Sequence, residues 1–214
     1  GWPQGRKITP EYSEHQFKLE VPANATRVYI GMSNYFKKDI QLFVKRDSVA
    51  SEGNFDCKGE QLNRNNTCVF DMPENAAIYY VTILANNVST GVNVTGSYTT
   101  INNEDVVLNN NESISGIALP KGLYRDFIFE VPVEATSVKF QSDSGRGDAH
   151  MFVKYGSKPT EIDYDCHPGY VGNFERCTDT RAGTYYIRLY SESTFQNVKL
   201  TASYIEGWDL SLIH

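Results

Sequence analysis

The chain repeats itself, and that limits what it can fold into more than any single motif does. Phe17-Lys18-Leu19-Glu20-Val21-Pro22 recurs as Phe127-Ile128-Phe129-Glu130-Val131-Pro132, and Ala25-Thr26-Arg27-Val28 as Ala135-Thr136-Ser137-Val138. Phe43-Val44-Lys45 returns as Phe152-Val153-Lys154, and Tyr79-Tyr80-Val81 as Tyr185-Tyr186-Ile187. Thr95-Gly96-Ser97-Tyr98 closes one copy as Thr201-Ala202-Ser203-Tyr204 closes the other. The offset drifts from 110 to 106 along the chain, as expected when loops change length and strands do not. Two copies in 214 residues make two modules of about 100 residues, each large enough to hold a core. The expected domains are 1–100 and 101–214, joined by the short polar stretch 99–104.

Within each copy the apolar residues alternate with period two. Phe17, Leu19 and Val21 point one way, as do Val28 and Ile30, then Ile40, Leu42 and Val44. The second copy answers with Phe127, Phe129 and Val131, Val138 and Phe140, and Met151 and Val153. Later strands read Tyr79, Val81, Ile83 and Val92, Val94 against Tyr185, Ile187, Leu189 and Val198, Leu200. Short alternating runs between Gly, Pro, Asn and Ser clusters predict an all-β, antiparallel sandwich with little helix. The 14 Tyr and 11 Phe suit strands. Asp105-Val106-Val107-Leu108 is expected to open the second copy, and no equivalent precedes Phe17.

The four cysteines form two equally spaced pairs, each separated by 11 residues. Sequence alone permits three connectivities. The repeat selects Cys57–Cys68 and Cys166–Cys177, because each domain then owns its bridge. Such bridges persist in an oxidising compartment, so a secreted, extracellular protein is expected. A net charge of −6 lacks the basic footprint of a nucleic-acid partner, and no apolar run reaches the length of a membrane span. The chain opens at Gly1 with neither an initiator Met nor an apolar leader, so a processed or trimmed product is expected. Sequons stand at Asn24, Asn65, Asn87, Asn93 and Asn111; they are read either as glycan acceptors or as ordinary Asn/Ser/Thr-rich loops.

The second copy carries further motifs in order: Ser144-Gly145-Arg146-Gly147-Asp148-Ala149, Met151-Phe152-Val153-Lys154-Tyr155-Gly156, and Tyr164-Asp165-Cys166. Gly172-Asn173-Phe174-Glu175-Arg176-Cys177 and Ala182-Gly183-Thr184-Tyr185-Tyr186-Ile187 follow. With Phe127–Pro132 before them, these resemble the bacterial pre-peptidase C-terminal (PPC) domain over residues 105–204. That family is similar in fold to collagenase collagen-binding domains. The first copy keeps Glu-Val-Pro, both Cys and the closing Ser-Tyr, but its Asn34-Tyr35-Phe36-Lys37-Lys38-Asp39 lacks the glycine turn, so it resembles a diverged copy. The resemblance implies two tandem jelly-roll-like antiparallel β-sandwich domains. It also implies a non-catalytic accessory module of a secreted peptidase, binding protein substrate or extracellular matrix. The alternative is a structural or interaction module that caps, positions or aids secretion of a neighbouring domain, including one of a non-peptidase surface protein. The expected partner is a protein ligand or an adjacent peptidase domain.

Enzyme signatures are absent: there is no HExxH, no GxSxG elbow, and no free Cys once both bridges form. Tyr186, Arg188 and Tyr190 alternate away from the core and are a candidate contact surface, since Tyr and Arg dominate protein interfaces; the plainer reading is an ordinary outer face. Glu104, Asp105, Asp126, Asp143 and Asp148 are candidate oxygen ligands for Ca2+, against a solvated acidic surface. Arg146-Gly147-Asp148 spells the integrin tripeptide but is read first as part of the glycine turn. The apolar tail 208–213 is expected to pack back or to dock on another domain. Non-reducing peptide mapping is expected to recover Cys57 with Cys68 and Cys166 with Cys177; a peptide pair crossing residue 100 would overturn the assignment by duplication.

Overall fold

A computed structural model describes residues 14–34, 40–62, 65–85 and 92–207. The Asn87 sequon, the segment 35–39 and the tail 208–213 lie outside the described residues. The chain divides into two compact units, Gly1–Ile101 and Asn102–His214. All described elements are strands, and among the described residues no helix is long and apolar enough to cross a membrane.

The first unit holds β1 (Glu14–Val21), β2 (Ala25–Asn34), β3 (Ile40–Arg46), β4 (Cys57–Lys58), β5 (Glu60–Leu62), β6 (Asn65–Asp71), β7 (Ala77–Ala85) and β8 (Val92–Thr100). They form two four-stranded antiparallel sheets in the orders β1-β7-β3-β4 and β5-β6-β2-β8. The alternation explains the packing. Val28, Ile30, Leu42, Val44, Val81 and Ile83 are fully buried in one cluster, with Phe17 and Phe70 against it. Cys57 is bonded to Cys68, with Cα atoms 6.0 Å apart.

The second unit holds β9 (Val106–Leu108), β10 (Ser113–Leu119), β11 (Tyr124–Val131), β12 (Ala135–Asp143), β13 (Arg146–Tyr155), β14 (Glu175–Asp179) and β15 (Gly183–Glu206). The first half of β15 lies between β11 and β13, and its second half lies between β12 and β10. One strand therefore belongs to both layers of the sandwich. Twenty-four residues are about four times the usual strand length, so β15 has to bend, and the ladder slips register beside Asp148 and between Ile117 and Leu119. Register slips are how a strand turns a sandwich corner. Phe127, Phe129, Phe140, Tyr185, Ile187, Val198 and Leu200 fill the space between the layers. The Phe140 ring stands 5.8 Å from that of Phe129 and 5.2 Å from that of Tyr185. Cys166 is bonded to Cys177.

One ladder departs from the antiparallel expectation. β9 runs parallel to β11, with Phe127 opposite Val106 and Phe129 opposite Leu108. The cause is topological: between them the chain crosses to the other layer as β10, and two reversals restore the direction.

The glycine turn fits the corner of β15. Gly145 and Gly147 have φ of +72° and +100°, and a Cβ at each would stand 2.2 Å from the Gln196 carbonyl oxygen and 2.3 Å from that of Thr194. Gly116, at φ +73°, has open space around it. Gly116→Ala is therefore expected to cost only the left-handed penalty of about 1–2 kcal/mol. Gly147→Ala, which adds overpacking, is expected to cost about 3 kcal/mol or more. Urea unfolding of the second unit distinguishes the two, and equal costs would show that the corner tolerates a side chain.

Candidate functional site

The outer face of the β9-β11-β15-β13 layer is built by strand register. Tyr124, Asp126 and Ile128 of β11 stand opposite Tyr190, Arg188 and Tyr186, which in turn face His150, Phe152 and Lys154 of β13. Tyr186, Arg188 and Tyr190 are thus brought side by side, all half-buried. Arg188 is already engaged: its Nε and Nη2 donate to Asp126 Oδ1 and Oδ2 at 2.7 and 2.8 Å. Its guanidinium also lies 3.6 Å from the centre of the Tyr124 ring. This pair is nearly out of water, with side-chain exposures of 14% and 7%. A bidentate pair of that kind is held by geometry, and removing one partner strands the other's charge.

The five candidate calcium carboxylates do not converge. Asp105 and Asp126 meet on the Lys158 ammonium, at 2.6 and 3.6 Å, and that contact raises the Lys158 pKa. Asp143 accepts from Ser144 and Gln141 and pairs with Lys199 at 3.0 Å; the Ser144 hydroxyl is the main cause of its lowered pKa. Asp148 accepts from the Gly172 N–H at 2.9 Å. Glu104 accepts from Asn102 Nδ2 at 3.4 Å and donates its own N–H to Asn102 Oδ1 at 2.9 Å. Among the described residues no three His, Cys, Asp or Glu side chains are arranged to hold a metal ion.

Arg146-Gly147-Asp148 opens β13 and is not a projecting tip. Arg146 donates to Gln196 Oε1 at 2.6 Å, and the Asp148 carboxylate is held by the loop that follows β13.

That loop, residues 156–174, is the feature that reading by motif missed. Buried Glu175 accepts from the N–H groups of Gly169 and Tyr170 at 3.1 and 2.8 Å. Asn173 accepts from Ala149 N–H and donates to the Ser144 carbonyl, while Ser142 donates to the Asn173 carbonyl. His167 stacks on Phe152 with ring centres 4.0 Å apart. The loop is therefore fastened from inside, yet it leaves Tyr170, Val171 and Phe174 exposed by 61%, 94% and 57%. A signal was present: Glu175 shares the parity of buried Cys177, which places a carboxylate on the inward side. Beside the loop, Arg181 donates to Asp165 and Asp179 and holds the Asp179 carboxyl down at about 2.

Comparison with known proteins bears on this unit. Residues 123–191 match the bacterial pre-peptidase C-terminal domain, from the residue before β11 to the middle of β15. An extracellular protease of Xanthomonas campestris pv. campestris is 39% identical over 98 residues, 45% of this chain and 17% of that protein. The neutral protease of Vibrio proteolyticus is 42% identical over 73 residues, 33% of this chain and 12% of that protein. A zinc metalloprotease of Helicobacter pylori is 34% identical over 96 residues, 44% of this chain and 37% of that protein. The shared stretch is thus a minor part of each relative, and the matched domain is a non-catalytic one.

Two carboxylates of the loop frame give opposite pH dependences. Burial raises the Glu175 pKa above 4.5, so the folded state holds its proton more tightly than the unfolded chain. Its contribution is full below 4.5 and declines as pH rises through the folded value. Asp179, lowered from 3.8 to about 2 by Arg181, contributes above 3.8 and loses that contribution as pH falls through 2. Urea unfolding across pH is expected to show Glu175→Gln flattening the decline above pH 4.5 and Asp179→Asn flattening the loss below pH 4. Unchanged slopes in both variants would refute the assignment.

Proposed function

We propose that the chain is a non-catalytic accessory module of a secreted peptidase, made of two PPC-like jelly-roll sandwiches, and that the second unit contacts protein. The observation that carries this reading is the PPC domain at 123–191, shared with extracellular proteases far longer than the matched stretch. Duplication is supported by strand order. β1-β7-β3 and β6-β2-β8 of the first unit correspond to β11-β15-β13 and β14-β12-β15 of the second. Local detail agrees, since Asp56 accepts from Arg46 N–H as Asp165 accepts from Tyr155 N–H. The two disulfides fit an extracellular setting.

The contact surface is the strip that runs from Tyr186 and Tyr190 across His150 to the Tyr170–Phe174 tip. His150 lies opposite Tyr190 in the ladder, and its neighbour Ala149 bonds the Gly172 carbonyl. Fixed aromatic side chains lose little entropy on docking, which makes them effective anchors. The engagement of Arg188 by Asp126 favours a second reading, in which the unit positions a neighbouring domain and binds nothing insoluble.

The purified chain is expected to leave casein and gelatin intact and to co-sediment with insoluble collagen. Tyr190→Ala and Tyr170→Ala should each weaken retention about tenfold or more with little change in melting temperature. Arg188→Ala should act instead on stability, by about 3 kcal/mol, by leaving buried Asp126 with only the longer Lys158 contact. Retention unaffected by either Tyr variant would remove the strip as the contact surface, and failure to sediment at all would favour the second reading.

A further inference from the structure

At one corresponding place the two units differ in a way that leaves a carboxylate without a protein partner beside an open groove. In the second unit Glu130 lies opposite Thr184 and accepts from its hydroxyl at 2.9 Å. In the first unit Glu20 lies opposite Ile78, which has no hydroxyl to offer. Glu20 is exposed, and among the described residues no cation pairs with it. On the other side of the same residue, Gly156 N–H donates to the Thr184 carbonyl where Asp47 N–H donates to that of Ile78. A glycine has thus become an aspartate, which adds a second carboxylate to the first unit. Asp47 Oδ1 accepts from Ile78 N–H and Oδ2 from Arg46, so its charge is partly balanced and Glu20 carries the open one.

Both carboxylates line one open surface groove. Pro22, Ala76 and Ile78 supply accessible apolar wall, and Tyr98, 43% exposed, supplies an aromatic one. The combination is selective. A carboxylate without a partner attracts a cation, an aromatic face adds to that attraction, and apolar walls suit a long aliphatic stem whose charge sits at its end. A neutral apolar ligand would leave Glu20 unpaired, and an anion would be repelled.

We infer that the first unit binds a basic side chain, lysine or arginine, of a partner polypeptide, with its stem along Pro22, Ala76 and Tyr98 and its cationic head on Glu20. The site lies outside residues 123–191 and does not depend on the peptidase-associated reading. The ionic part of the contact is exposed, so added salt weakens it.

The test is an NMR titration of the whole chain with three capped amino acids: Nα-acetyl methylamides of lysine, arginine and norleucine. The lysine or the arginine compound should shift the amide signals of residues 20–22, 47 and 76–78, and norleucine should not; whichever cation acts more strongly identifies the preferred head. Glu20→Gln should weaken the response at least fivefold. Ile78→Thr, which recreates the hydroxyl donated to Glu130, should weaken it by a smaller factor, because it removes no charge. Equal shifts from norleucine, shifts confined to other residues, or an undiminished response in both variants would overturn the assignment.

Discussion

The second unit depends on β15 being continuous. A single strand that belongs to both layers locks their relative registers, because any slip in one half displaces the other. It also removes a loop where the two layers would otherwise have to be closed independently, which limits the conformational entropy lost on folding. The bend needs backbone from β13 to approach within the radius of a side chain, and Gly145 and Gly147 supply that room. The glycine turn is therefore a packing requirement, and the integrin-like tripeptide inside it follows from that requirement.

The long loop after β13 is held by the same logic of satisfied polar groups. Its backbone N–H groups at Gly169, Tyr170 and Gly172 are met by Glu175 and Asp148, and Asn173 bridges to β13 and the turn before it. A buried carboxylate is costly unless its lone pairs are used, and here they fasten loop to strand. The result is a fixed frame that presents exposed aromatic residues.

The outer faces show how two sheets of similar plan acquire different chemistry. In the second unit the central Arg188 is matched to Asp126, with Lys158 and Asp105 extending the network. Glu130 in that unit has a hydroxyl to accept from, while Glu20 in the first does not. A change of one cross-strand neighbour, Thr184 against Ile78, removes the hydroxyl contact that Glu130 has and Glu20 lacks. The matched inward positions, Val28 with Val138, Val81 with Ile187 and Val44 with Val153, are apolar and buried in both units, while the outward positions differ in charge because packing does not oppose the change there.

Much of the fold was legible without coordinates, because period-two alternation is local. Leu42, Val81, Phe140 and Ile187 declare their side of a strand by their neighbours alone, and all are buried. Even Glu175 declares itself, through its parity with Cys177. What the residues by themselves determined was which side chains face inward and how the cysteines are shared between copies. Tertiary structure alone decided which outward residues meet. Arg188 reaches Asp126 across 62 positions of sequence, Lys158 gathers Asp105 and Asp126 into one ion network where metal ligands were expected, and β9 turns parallel to β11 because β10 crosses between layers. Inward or outward is a property of the strand, whereas partnership is a property of register, and register is settled only when both layers close on one core.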